Sequence, residues 1–171
     1  MNAKSLTCRE CGFEYPLEAR FVCERCFGPV EVAYDFSAIA GDPESLRRRI
    51  QAGPQNIWRY ADFLPVETLP AGAHAGLPVG STPLVKADRL AERLGLKGEV
   101  WVKNDAHNPT HSFQDRVVAL ASARARELGM TPLACASTGN LAGAVAAQAA
   151  ALGLESYVFI PSDLEEQKIL S

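Results

Sequence analysis

The chain has 171 residues, 47% of them hydrophobic and 22% charged, which suits one domain or one domain with a small appendage and excludes a disordered tail or a collagen-like fibre. Its net charge of −3, from 17 basic and 20 acidic residues, gives no electrostatic footprint for nucleic acid or an anionic membrane, so neither is expected as a partner. Met1 to Thr7 has no apolar core of a signal peptide, and the longest apolar stretch, Leu141 to Leu154, is interrupted by Gln148 and falls short of the roughly 20 residues of a spanning helix, so a soluble cytoplasmic protein is expected.

Five cysteines are present, and four fall in two pairs with two residues between the members: Cys8 with Cys11, and Cys23 with Cys26. That spacing lets both sulfurs of a pair converge on one ion from a tight knuckle. Two knuckles supply the four thiolates of a closed tetrahedral zinc site, which leaves no open position for substrate and is therefore structural. Two disulfides or an iron site are the alternatives. Gly12 and Gly28 follow the knuckles and are expected to relieve backbone strain there. The residues between the pairs suit a short hairpin, with Phe13, Tyr15, Phe21 and Val22 as its apolar cover.

Residues 1–35 thus read as a zinc ribbon, ending in an alternating strand from Val30 to Tyr34. Residues 36–80 form a connector, with a helix from Pro43 to Ile50 whose Arg47–Arg49 run is a solvated end. Trp58, Tyr60, Phe63 and Leu64 are expected to pack onto a neighbour. The stretch from Gly72 to Gly80 is loop-like, and its His74 carries no functional expectation.

From residue 81 the pattern becomes α/β. Thr82 to Val85 is extended, Asp88 to Leu94 is a helix stopped by Gly95, and Glu99 to Lys103 is a strand. A helix from Phe113 to Leu128 should bury a stripe of Phe113, Val117, Leu120, Ala121 and Leu128, with Gly129 as its stop. A strand over Pro132–Ala136 holds Cys135, read as a buried small residue rather than a reactive thiol. An Ala-rich helix follows over Asn140–Leu152, then a strand over Ser156–Ile160. A capping box from Ser162 to Glu165 opens a further helix. The alternation argues for an α/β region with a mostly parallel sheet.

Two loops carry candidate chemistry. Ser137, Thr138, Gly139 and Asn140 lie between a strand and a helix, where ligands bind in such sheets. The helix start offers amides and a positive dipole end, the hydroxyls add donors, and glycine permits close approach; a carboxylate or phosphate would fit. A plain N-cap with a glycine turn is the alternative. The second loop, Asn108 to Arg116, is polar; Ser112 can cap the following helix and Asp115 favours its positive end.

Taken in order, Gly80 to Leu84, Val102 to Asp105, Asn108 to Arg116 and Ser137 to Leu141 resemble the threonine synthase family, pyridoxal-phosphate (PLP) enzymes of the tryptophan-synthase-β-like fold, fold type II. Some members also carry an N-terminal cysteine ribbon. The resemblance covers essentially the whole chain but only the first part of such an enzyme. It implies an α/β fold type II region behind the ribbon. It also implies a carbon–oxygen lyase that converts O-phosphohomoserine and water to threonine and phosphate, the last step of threonine biosynthesis, with PLP as electron sink. By the same resemblance Ser137, Thr138, Gly139 and Asn140 cradle the substrate carboxylate, and Asn140 reaches the cofactor's phenolic oxygen. A homo-oligomer is left open. Related PLP-dependent dehydratases and sulfur-amino-acid synthases share the frame.

The sequence departs from the family at position 114, where the PLP lysine belongs and Gln114 stands. A carboxamide nitrogen is neither nucleophilic nor basic near pH 7 and cannot condense with an aldehyde. Lys103 is expected to keep a structural or electrostatic role. His107 and His111 either face a substrate phosphate or shape the loop. The Gly-rich loop that anchors the cofactor phosphate in this family is not found before Ser171, so a truncated chain is expected, with its own activity in doubt. A non-catalytic zinc-ribbon and α/β remnant is the rival reading.

Overall fold

In the computed structural model, which describes residues 2–37, 42–67 and 76–163, the chain divides into two units. One comprises Met1–Ala75 with Leu120–Thr131, the other Gly76–Ala119 with Pro132–Ser171.

The first unit is built on a three-stranded antiparallel sheet of order β2-β1-β3, from β1 (Ala3–Cys8), β2 (Glu14–Tyr15) and β3 (Val30–Tyr34). Leu6 pairs with Tyr15 on one side and Val32 on the other, and Cys8 pairs with Val30. Strand β3 falls where the alternation places it. Strand β1 is not legible, because an irregularity between Ala3 and Ser5 breaks the period of two and leaves Ser5 and Leu6 buried side by side. The core holds Leu6, Cys8, Tyr15 and Cys23, with Phe13, Leu17, Val30 and Val32 packed against it. Phe21 and Val22 are not part of that cover: Phe21 is 83% exposed, and Val22 is exposed beside the second knuckle.

Helix α1 (Pro43–Ala52) starts where Asp42 accepts the amides of Glu44 and Ser45, with proline in the first turn. It buries no residue, and its arginines pair outward, Arg47 with Glu44 and Arg49 with Asp62. A 3-10 segment, Ile57–Phe63, follows. Of the four residues expected to pack there, Trp58 is buried and Leu64 half-buried, while Tyr60 and Phe63 are exposed. His74 and the helix expected from the capping box past Asp163 lie outside the described residues.

In the second unit β4 (Leu84–Lys86) pairs antiparallel with β5 (Trp101–Lys103), and α2 (Asp88–Arg93) connects them. Helix α3 (Gln114–Glu127) gives its first turns to this unit and its last to the other. Then β6 (Leu133–Ala136), α4 (Asn140–Leu152) and β7 (Ser156–Phe159) form a β-α-β unit whose strands pair parallel, Cys135 opposite Val158. Val118, Ala144 and Val145 form the core, with Leu133, Cys135 and Leu141 against it. This is the expected α/β class behind a four-cysteine ribbon.

Helix α3 corrects the expected stripe. Phe113 and Val117 are both 61% exposed, and the buried face is Asp115, Val118, Ala119 and Ser122. Two of those four are polar, which hides the face from a reading by apolar residues. Helix α4 buries Ala144, Val145, Gln148 and Ala149 on one face. Among the described residues no helix is long and apolar enough to cross a membrane.

Candidate functional site

The four paired cysteines converge. Sulfurs of Cys8, Cys11, Cys23 and Cys26 all lie within 4.8 Å of one another, and none forms a disulfide. Cys8 and Cys26 stand 3.5 Å apart, Cys11 and Cys23 3.6 Å. A metal–sulfur distance of about 2.3 Å sets the edge of a thiolate tetrahedron at roughly 3.8 Å, so the set fits a tetrahedral ion.

The two knuckles repeat one hydrogen-bond pattern. The Cys8 carbonyl accepts the Gly12 amide at 2.9 Å and the Cys8 amide donates to Phe13; the Cys23 carbonyl accepts the Phe27 amide at 2.9 Å and the Cys23 amide donates to Gly28. The positive φ of the first knuckle falls on Gly12, at 71°, but that of the second falls on Phe27, at 57°. Gly28 is required for another reason: a Cβ there would stand 3.1 Å from the Cys8 sulfur and 2.7 Å from Glu10 Cγ. Cys8 and Cys23 are buried, Cys11 and Cys26 exposed.

Proton affinities within the cluster are uneven. The Tyr15 hydroxyl against Cys23 holds that thiol down at about 6. The Gly28 amide favours the Cys26 thiolate, but the neighbouring thiols of Cys8 and Cys11 outweigh it and push that group up to about 12. Cys135, half-buried in β6, is pushed up by burial and packs against the α/β core, the role expected of it.

The second centre lies at the carboxyl ends of β6 and β7. Ser137, Thr138, Gly139 and Asn140, with Thr110, His111, Ala142, Gly143 and Ile160, wall a pocket of about 820 Å³. No side chain caps α4: Gly139 occupies the cap position, and the Ser137 hydroxyl instead accepts the Gly139 amide at 3.3 Å. The plain N-cap alternative is therefore not what Ser137 and Thr138 provide, and the head of α4 faces the pocket with hydroxyls beside it. His111 takes a positive φ of 58°, and its Nδ1 lies 2.8 Å from the Ala106 carbonyl. That contact sets the loop's shape. His107 is exposed in a 3-10 turn.

Gln114, half-buried at the start of α3, is not among the described residues that wall this pocket. Its Oε1 accepts the Ser112 hydroxyl, whose oxygen accepts the Gln114 amide at 3.2 Å. The loop before it is held by Asp115, which is buried and accepts the Thr110 amide at 2.8 Å and the Thr110 hydroxyl at 2.7 Å. Lys103 donates to the Thr82 carbonyl and is not in the pocket wall, in keeping with a structural role.

Two groups carry weight that residue types alone do not show. Asn108 is buried, its Oδ1 accepts the Gly80 amide at 3.1 Å, and its Nδ2 has no partner among the described residues. Asp105 binds Arg116 and Thr82 together; the Arg116 guanidinium and then the Thr82 hydroxyl hold its carboxyl down at about 2. The signal available for both was the polar character of residues 104–116, which names the loop but not its internal partners.

A family model described as pyridoxal-phosphate dependent enzyme matches residues 76–171, more than half of the chain. The chain belongs to this family. It is similar to a protein named threonine synthase from Methanosarcina acetivorans, 42% identical over 92% of this chain and 37% of the relative. It is also similar to threonine synthases from Methanocaldococcus jannaschii, 39% identical over 90% of this chain and 37% of the relative, and Synechocystis, 43% identical over 61% and 27%. The chain thus spans under two-fifths of the length of these relatives. PLP attaches to its enzymes through a lysine amine. The carboxamide of Gln114 cannot form that bond, and no lysine is among the described residues of the pocket wall, so the residues present do not fit covalent PLP.

Proposed function

We propose that the chain belongs to a threonine synthase-type protein, a lyase that converts O-phosphohomoserine and water to threonine and phosphate. The observation that carries this is the Ser137–Asn140 loop at the head of α4, uncapped by any side chain and walling a pocket with Thr110 and His111. The identity to threonine synthases supports it. In this reading the amides at the helix start and the hydroxyls of Ser137 and Thr138 hold the substrate carboxylate, Gly139 lets it approach, and Asn140 faces the cofactor. Gln114 removes the amine on which the family's chemistry depends, so this chain is expected to bind rather than turn over. That same residue favours the second reading, a non-catalytic ribbon and α/β protein.

The four cysteines hold one structural zinc, and unpaired thiols of that kind suit the cytoplasm. By role the chain divides into a zinc ribbon at 1–35, a connector at 36–80 and the fold type II region at 81–171.

Titration of the isotopically labelled protein with O-phosphohomoserine tests the carboxylate loop. Amide shifts confined to Ser137, Thr138 and Gly139 are expected. No shift at millimolar ligand would overturn the reading, and shifts with O-acetylserine alone would move it to the sulfur-amino-acid synthases. Borohydride treatment with PLP, followed by intact mass, should give no stoichiometric adduct; a stoichiometric adduct on one lysine would contradict the role given to Gln114.

A further inference from the structure

We propose that the Tyr15 hydroxyl is an outer-sphere donor to the Cys23 thiolate and sets how tightly the four-cysteine site holds its metal. This rests on the reading of Cys8, Cys11, Cys23 and Cys26 as one metal site.

Proton counting gives the direction of the bond. The Tyr15 oxygen lies 3.1 Å from the Cys23 sulfur, and the Glu24 amide donates to the same oxygen at 3.0 Å. A phenol carries one proton. With its oxygen already accepting from Glu24, that proton is left for the sulfur. A metal-bound thiolate has no proton and can only accept. The Arg25 amide gives Cys23 a second donor at 3.4 Å.

Burial makes the bond matter. Tyr15 is 7% exposed and Cys23 fully buried, so water does not compete for either atom. Cys11 and Cys26, by contrast, face solvent. Among the described residues Cys23 is the one ligand with a hydroxyl against it.

The ring is also held in place. Phe13 meets it edge-on with centroids 4.8 Å apart, and the Arg20 guanidinium lies 4.2 Å from its centroid. Arg20 is in turn tied to Glu18 and Glu24, each at 2.6 Å. Glu24, one of the two residues that fix Arg20, therefore also supplies the amide that orients the hydroxyl. A donor held this firmly loses little freedom when the thiolate binds metal. Outer partners of metal ligands are commonly worth about 10- to 100-fold in affinity.

Tyr15→Phe keeps the ring and removes the donor. Zinc affinity, measured by competition with a chelator, is expected to fall about tenfold or more. In the cobalt-substituted protein the sulfur-to-cobalt charge-transfer band is expected to move to lower energy, because the thiolate regains charge that the hydrogen bond withdrew. A purely packing role for the ring would leave that band in place. If wild-type protein takes up neither zinc nor cobalt, the metal-site reading fails. If wild type binds both and Tyr15→Phe matches it in affinity and spectrum, the role of Tyr15 fails and the site stands. Should the variant not fold, a cadmium-113 to proton correlation on the wild-type protein decides: coupling from the metal to a tyrosine hydroxyl proton is expected, and its absence beside a coupling to the Arg25 amide overturns the proposal.

Discussion

Asp105 and Arg116 bracket the loop between β5 and α3 with a two-pronged ion pair, Nη2 standing 2.8 Å from Oδ1 and Nε 3.2 Å from Oδ2. Thr82 closes the triangle. Its hydroxyl donates to Asp105 at 2.7 Å and accepts from Arg116 at 3.1 Å. The pair therefore ties three segments: the turn before β4, the turn after β5 and the first turn of α3. Asp105→Asn keeps the shape and removes the charge. It is expected to cost about 2 kcal/mol, the scale of hydrogen bonds to a charged group. Amide hydrogen exchange at Asn108 and His111 should quicken in the variant. Unchanged exchange with unchanged stability would show that the loop holds its form without the pair.

The same carboxylate predicts an acid-side loss of stability. Arg116 first, then Thr82, holds the folded carboxyl at about 2, whereas an unfolded aspartate titrates near 3.9. Between those values the unfolded chain binds more protons, so stability falls as pH falls. The contribution is complete above the unfolded value and lost as pH drops through about 2. Urea denaturation of wild type and Asp105→Asn should therefore differ at pH 6, and the difference should shrink from pH 4 to pH 2. A difference independent of pH would mean that the charge of Asp105 is not what stabilises the loop.

Gln148 and Gly76 make a second non-local lock. Gln148 is 3% exposed in the middle of the Ala-rich α4, and its Oε1 accepts the Leu77 amide at 3.0 Å. Gly76 has φ +65°, and a Cβ there would stand 2.1 Å from Gln148 Nε2. Gly76→Ala thus strains the backbone, by about 1–2 kcal/mol, and displaces the glutamine that holds Leu77, by about 1 kcal/mol more. A total cost of about 2 kcal/mol or more is expected by chemical denaturation. A cost under about half of that would show that Gln148 relaxes without losing its partner.

These locks mark the limit of what the sequence alone discloses. Helix α4 is legible to both ends, because Gly153 takes the left-handed φ of 67° that stops a helix and a serine-threonine-glycine turn precedes its start. The cysteine knuckles are legible because two-residue spacing has few other uses. Asn108 is not: its acceptor binds Gly80, 28 residues earlier, and nothing local signals it. The buried face of α3 is hidden because Asp115 and Ser122 lie in it. The antiparallel pairing of β4 with β5 follows from how the connection through α2 folds back, which the strand patterns do not encode. Position 114 is the reverse case, since the residue is plain in the sequence and its consequence is chemical.

The metal should be a condition for the ribbon's fold. Cys8 and Cys23 are two of the four residues in the ribbon's buried cluster, with Leu6 and Tyr15, so the sulfurs placed to hold an ion are also the packing. A small sheet of three short strands has little else to bury. Metal binding of this kind contributes folding free energy on the order of 10 kcal/mol. One zinc per chain is expected by elemental analysis. Removing it with a chelator should release protection from hydrogen exchange across β1 and β3, and restoring zinc should restore it. Cys23→Ser should lose the metal and the protection together. Cys135→Ser, in the other unit and outside the cluster, should keep both. A ribbon that stays protected after complete chelation would show that apolar packing alone holds it and that the ion is dispensable to the fold.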